Sequence, residues 1–271
     1  MKLWQKKIQS LKEVETFTVG NDREFDLQLA PFDVLGSIAH VTMLETVGLL
    51  EKNEKENLIT ELQAIYHQLQ QPGSEFSIDE SVEDIHSQVE MMLTKKLGDT
   101  GKKIHSARSR NDQVLVDLKL FLRSELKTIV GTVHSLFDLL QQQSEKHKST
   151  LLPGYTHLQL AMPSSFGLWF GAYAESLVDD TITLKAAYDV INKNPLGSAA
   201  GYGSSFPINR KLTTELLGFD DLNYNVVYAQ MGRGKTERID FRRIADAGPN
   251  HHRPLGADHC VLGRQRLRVE G

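Results

Sequence analysis

The feature that most restricts the fold is one long run without proline. Between Asn111 and His147, the residues Val114, Leu118, Phe121, Leu122, Ile129, Val133, Leu136 and Leu140 keep a single apolar stripe at helical spacing. A helix of that length belongs to a bundle or a coiled coil. Asn111 or Asp112 is suited to cap its start, because a short side-chain oxygen accepts an otherwise unpaired amide hydrogen.

The rest of the chain reads the same way. Within Glu54–Gln71, Leu58, Leu62, Ile65 and Leu69 share one face, and Pro72-Gly73 stops the helix. Pro31–Leu50 follows through Leu35, Ile38, Ala39, Thr42 and Val47. Asp79–Leu97 opens on Asp79, Glu80, Glu83 and Asp84, acids that complement the positive end of a helix dipole. A second long helix is expected over Pro163–Val190, with proline at its first position and Phe166, Phe170, Tyr173, Leu177 and Leu184 buried. Only Asn225-Val226-Val227-Tyr228 tempts a strand reading. The expected fold class is all-α.

With 271 residues and 40% hydrophobic content, the chain can bury a real core. Charged residues at 24% and a net charge of -4 argue against a basic nucleic-acid binder. The single cysteine, Cys260, allows no internal disulfide, and no CxxC pair points to structural zinc. The cations of Met1–Lys7 have no apolar run behind them, and no stretch has the uninterrupted apolar length of a membrane span. The expectation is a cytoplasmic protein with no membrane and no nucleic-acid partner.

Usage of basic residues changes at Asp240. From there to Gly271 there is no lysine, while Arg242, Arg243, Arg253, Arg264, Arg266 and Arg268 crowd in, and no helical apolar period survives. A basic tail for an anionic partner is one reading. A metal site of His251, His252, His259 and Cys260 is another, but that spacing matches no familiar ligand pattern. A frame shift or cloning junction changes composition and period together at one point, and it is favoured. The domain expectation is therefore a helical N-terminal domain over 1–110, bundle helices over 111–239 and an aberrant tail over 240–271.

Three polar, glycine-bearing junctions separate the helices, where catalytic groups are usually displayed. Gly101–Gln113 places His105, Arg108, Ser109, Arg110 and Asn111 directly before the long helix, whose first amides and dipole favour a carboxylate. Taken alone, it is more often a solvated, capped loop. Pro153–Pro163 holds Thr156, His157 and Gln159 on a constrained turn, and histidine exchanges protons near neutrality. A lone histidine is more often structural. Pro195–Pro207 has glycines for tight turns and by itself reads as a loop.

Together, in that order, Arg108-Ser109-Arg110-Asn111-Asp112-Gln113, Gly154-Tyr155-Thr156-His157-Leu158-Gln159 and Pro195-Leu196-Gly197-Ser198 resemble the argininosuccinate lyase family of the fumarase–aspartase superfamily. Asp33–His40 is similar to its first substrate-contacting helix, and the resemblance covers roughly Lys2 to Arg238. It implies reversible β-elimination of argininosuccinate to arginine and fumarate, without metal or organic cofactor. It implies a homotetramer around a central helical bundle, with shared active sites, to which this chain supplies the opening helices. By the resemblance, His157 takes part in proton transfer and Ser37, Asn111 and Thr156 contact substrate. Ser109 and Arg110 are further donors, and His105, Arg108 and Gln159 rank second. Leu160 and Met162 depart from the family's more polar pattern. The family's later glycine- and serine-rich loop, with a serine that serves as a principal acid–base group, has no counterpart here, so the chain as written is expected to be inactive and prone to association.

Two other classes compete. Ala229–Thr236 ends like a phosphate-binding loop, but Ala229 stands where the pattern needs glycine, and no alternating strand–helix text surrounds it. An inactive or structural lyase homologue also fits, since fold does not imply function. Among lyases, the adenylosuccinate-cleaving relatives are the nearest alternative, disfavoured by the Arg108–Gln113 run.

Overall fold

The computed structural model describes residue 17 and residues 20–234, and the expected tail from Asp240 lies outside the described residues. In chain order the helices are α1 (Asp22–Thr46), α2 (Lys52–Gln70), α3 (Ile85–Leu97), α4 (Asp99–Lys102), α5 (Arg110–Lys146), α6 (Phe166–Ile191), α7 (Arg210–Leu216) and α8 (Val226–Met231). A 3-10 turn covers Lys103–His105. Strands β1 (Leu151–Thr156) and β2 (Gln159–Ser165) form a hairpin, and β3 (Lys193–Asn194) pairs in parallel with β4 (Asp221–Leu222). The helical expectation is met.

The described residues fall into two compact units, 20–123 with 191–234, and 124–190. The expected domain boundary at 110 is not where this division lies. The first unit runs on into α5 and takes in the later segment, because Val116 and Leu120 pack with Ala39, Leu196, Leu217 and Phe219. Lys119 and Arg123 fasten the same segment: Lys119 Nζ donates to Lys193 O and Asn223 Oδ1, and Arg123 to the carbonyls of Leu217 and Gly218.

The main core of the first unit joins α1, α2 and α3 through Val34, Val41, Leu44, Leu58, Leu62, Ile85 and Leu93. Helix α1 starts well before the expected Pro31 and carries that proline inside it. The proline removes one amide from the helix ladder there, between the fully buried Ala30 and Val34. Over Arg23–Thr46 this helix is long and apolar enough to cross a membrane by length and composition, which a search for uninterrupted apolar runs does not register. More than half of that stretch is buried in the unit's own core.

Helix α3 begins at Ile85 rather than Asp79. Asp84 caps it by accepting the Ser87 amide at 2.8 Å, while Asp79 captures the Ser81 amide in the preceding turn. At the start of α5, Ser109 takes the role expected of Asn111 or Asp112: its Oγ accepts the Asn111 amide at 3.3 Å, and Asp112 Oδ1 accepts the Ser109 amide at 2.9 Å. The deep face of α5 here runs through Asp112, Leu115, Val116, Lys119 and Leu120, and Val114 and Leu118 are only half-buried.

In the second unit, Leu126, Ala174, Leu177 and Leu184 are buried, and Ser144 Oγ donates to Gly167 O at 2.8 Å. Helix α6 begins at Phe166, not Pro163, which lies in β2 opposite Pro153. A β-bulge falls between Gly154 and Tyr155. A Cβ on Gly154 would come within 2.8 Å of Met162 O, so the close pairing needs glycine there. The strand reading of Asn225–Tyr228 is wrong. Asn225 accepts the Tyr228 amide at 2.9 Å and caps helix α8. The phosphate-loop reading of Ala229–Thr236 therefore loses the strand before it, and its Lys235 and Thr236 lie outside the described residues.

Candidate active site

In the first unit the predicted residues gather around the start of α5. Ser37, one helical turn after Asp33 on α1, is fully buried and accepts a hydrogen bond from Arg108 Nη1 at 3.2 Å. A small pocket there is lined by Ser37, His86, Glu90, His105, Arg108 and Gln113. Arg110 pairs with Asp84 and donates to Ser87 Oγ. Ser109 and Asn111 occupy the first residues of the helix, where amide hydrogens are in excess.

The backbone of this turn is held from four sides. His40 Nε2 lies 2.8 Å from Ser106 O, so the ring donates there. Gln113 Nε2 donates to Asp33 Oδ1 at 2.5 Å. Asp112 Oδ2 accepts the Gly197 and Ala199 amides at 2.8 and 3.0 Å, tying the third glycine-bearing junction to the first. Gln230 from α8 donates to Ser198 Oγ and Ala199 O.

Burial and the two arginines set the charges. Burial, helped by Arg108, lowers His40 to about 3. Burial with Arg108 and Arg110 lowers His105 to about 4, so both rings are neutral near pH 7. Burial pushes Asp84 up, but Arg110 and then His86 outweigh it and hold the carboxyl below its usual value. Burial raises Asp112 despite the amides of Ser109, Ala199 and Gly197. The result is a buried Arg108 guanidinium beside Ser37, His105 and Gln113, in a space closed by Val89, Glu90 and Ile104 and too tight for a ligand as it stands, next to a helix start whose amides favour an anion.

The second unit carries Thr156, His157 and Gln159 on the hairpin. Thr156 pairs with Gln159, leaving His157 and Leu158 as a two-residue turn with φ of 48° and 62°. Two successive left-handed residues match the right-handed twist of a hairpin, and non-glycine residues there carry strain. All three side chains are exposed, which leaves the imidazole presented to solvent.

Several residues of the pocket and its supports escaped the sequence reading. His86, Glu90 and Gln113 line the pocket, and Asp33, Asp112 and Asp117 are buried near it. A signal existed: Asp33 and Asp117 interrupt apolar helix faces, and buried polar groups demand partners. Among the described residues, Asp33, His86 and Asp117 bring ligand-type atoms within 4.8 Å of one another. The His86 nitrogen is at hydrogen-bond distance from Asp33, so the trio reads as an acid–base cluster.

A family model described as lyase matches residues 4–231. The argininosuccinate lyase of Bacteroides fragilis is 67% identical over 267 residues, covering 98% of this chain and 59% of that protein. The argininosuccinate lyase of Thermotoga neapolitana is 41% identical over 238 residues, covering 88% of this chain and 59% of that protein. The chain thus spans 59% of the length of these relatives. An EDDS lyase variant with bound fumarate superposes with a TM-score of 0.73 at 26% identity, covering 88% of this chain and 47% of that one. A fumarate lyase:delta crystallin from Brucella melitensis, bound to cobalt, reaches 0.71 at 18% identity, covering 89% of this chain and 58% of that one, and so shows the fold alone.

Proposed function

Because the chain belongs to the lyase family, we propose that the protein it represents is an argininosuccinate lyase, cleaving argininosuccinate reversibly to arginine and fumarate in arginine biosynthesis. The 67% identity to a relative of that name carries the reading. A base takes a proton from the carbon beside a succinyl carboxylate, and the electrons collect on that carboxylate as a doubly charged aci-acid. The C–N bond then breaks, fumarate leaves, and the departing guanidino nitrogen gains a proton. Preorganised donors lower the barrier to such charge build-up, so the residues need no cofactor for it.

In this reading, Ser37, Ser109, Asn111 and Thr156 bind substrate oxygens directly. Arg108 sets the field of the pocket and Arg110 is a further donor, while His105, neutral, and Gln159 line the approach. His157 moves a proton. The protein acts in the cytoplasm as a homotetramer with shared sites. That assembly is supported by exposed apolar side chains in the second unit, such as Leu139 at 51%, Leu168 at 70% and Ile182 at 65%. The test is fumarate release from argininosuccinate by the full-length protein. Release from adenylosuccinate alone would move the assignment to the sister enzymes, and release from neither would leave an inactive homologue.

A further inference from the structure

Behind the Ser37–Arg108 pocket, three helices each bring one buried ionisable side chain to a single point: Asp33 from α1, His86 from α3 and Asp117 from α5. The His86 side chain is 4% exposed and both carboxylates are 0% exposed. His86 Nδ1 lies 2.8 Å from Asp33 Oδ1 and 3.5 Å from Asp117 Oδ2. The two acids are nevertheless not equivalent. Asp33 Oδ1 takes donors from both His86 and Gln113. Among the described residues, neither oxygen of Asp117 has a hydrogen-bond donor. A buried carboxylate keeps its charge only where donors or a cation replace the lost water. Two adjacent carboxylates in one dry site do not both ionise.

We infer that Asp117 is a neutral acid in the folded protein, and that the single negative charge of the cluster sits on Asp33, where it holds Gln113 and Arg108 at the floor of the pocket. The extra proton makes Asp117 a donor toward the Asp33 carboxylate, whose Oδ2 also has no donor among the described residues. The groups facing Asp117 are Asp33 and Asp26 from α1, His86 from α3 and Arg108 from the turn before α5. Burial and then Asp33 push the acid well up, against Arg108. Burial pushes Asp33 up too, but His86, Arg108 and Gln113 together bring it below the ordinary value. The consequence for Arg108 and Gln113 rests on the lyase reading, whereas the protonation of Asp117 does not.

The sign of the pH effect follows. The folded chain keeps the Asp117 proton at pH values where the unfolded chain has released it, so this residue costs stability as pH rises from about 3.8 toward its folded value. The experiment is thermal unfolding of the full-length protein, wild type against Asp117→Asn and Asp33→Asn, from about pH 5 to about pH 9. Asparagine mimics the neutral acid. Asp117→Asn is expected to melt at or above wild type, with a margin that widens as pH rises, while Asp33→Asn melts lower throughout. A margin that ignores pH, or an Asp117→Asn protein that melts below Asp33→Asn or fails to fold when Asp33→Asn folds, overturns the inference. Infrared spectroscopy at neutral pH supplies a second reading: a protonated-carboxyl band of the folded wild type that persists in Asp112→Asn and is lost in Asp117→Asn supports the inference, and a wild type without the band, or a band unchanged in Asp117→Asn, refutes it. These readouts are independent of turnover, so the lyase assignment can fail without them.

Discussion

Replacing Asp112 by alanine removes a side chain that joins the start of α5 to the Gly197–Ala199 turn. Asp112 is fully buried and accepts three backbone amides, from Ser109 at 2.9 Å, Gly197 at 2.8 Å and Ala199 at 3.0 Å. An amide left without a partner inside a protein costs about 1–3 kcal/mol. Two effects favour the low end of that range. The Ser109 and Ala199 bonds are only partly buried, so water can reclaim them, and burial already raises the Asp112 carboxyl, so its removal relieves a desolvation cost. Three donors at the low end give about 3 kcal/mol. With a urea dependence of about 2 kcal/mol per molar, the unfolding midpoint should fall by about 1.5 M. Asp112→Asn keeps one acceptor oxygen and should fall between wild type and alanine. Urea melts followed by circular dichroism measure both. A midpoint for Asp112→Ala within about 0.3 M of wild type would refute the view that this carboxylate anchors the loop.

His157→Ala and Asn111→Ala in the full-length protein should each lower argininosuccinate turnover about a hundredfold while leaving the fold intact, and wild-type rates in both would sink the site assignment. Gly101→Ala should destabilise the first unit by about 2 kcal/mol or more, because a Cβ there sits 2.5 Å from the Leu93 and Thr94 backbone, and an unchanged melting temperature would contradict that packing. His40, lowered by burial to about 3, stays neutral in the folded chain while an unfolded histidine takes up a proton near 6.5. Stability should therefore fall as pH drops from 6.5 toward 3, and His40→Gln should flatten that fall in melts across the range.

What a sequence determines by itself is local, and the helices here are local. The spacing of Leu58, Leu62 and Ile65 announces α2 because a 3.6-residue period puts those side chains on one face wherever the helix packs, and all three are buried. The Arg108–Gln113 run likewise announces an anion-favouring helix start, since capping and dipole depend only on neighbours in sequence. The hairpin that carries His157 left no such trace. Both strands are largely exposed on both faces, so neither shows the alternation that burial of one face writes into a strand. Even the ends of helices are settled partly by competition between nearby side chains, as where Asp84 rather than Asp79 caps α3 and Ser109 rather than Asn111 opens α5. The supports of the site are more distant still. Asp112 reaches amides 85 and 87 residues away, and Asp33 meets His86 across 53 residues and Gln113 across 80. Those contacts exist only once α1, α3 and α5 have packed, because burial is what removes water from Asp33 and Asp117 and forces the protein to supply donors, a cation or a proton in its place.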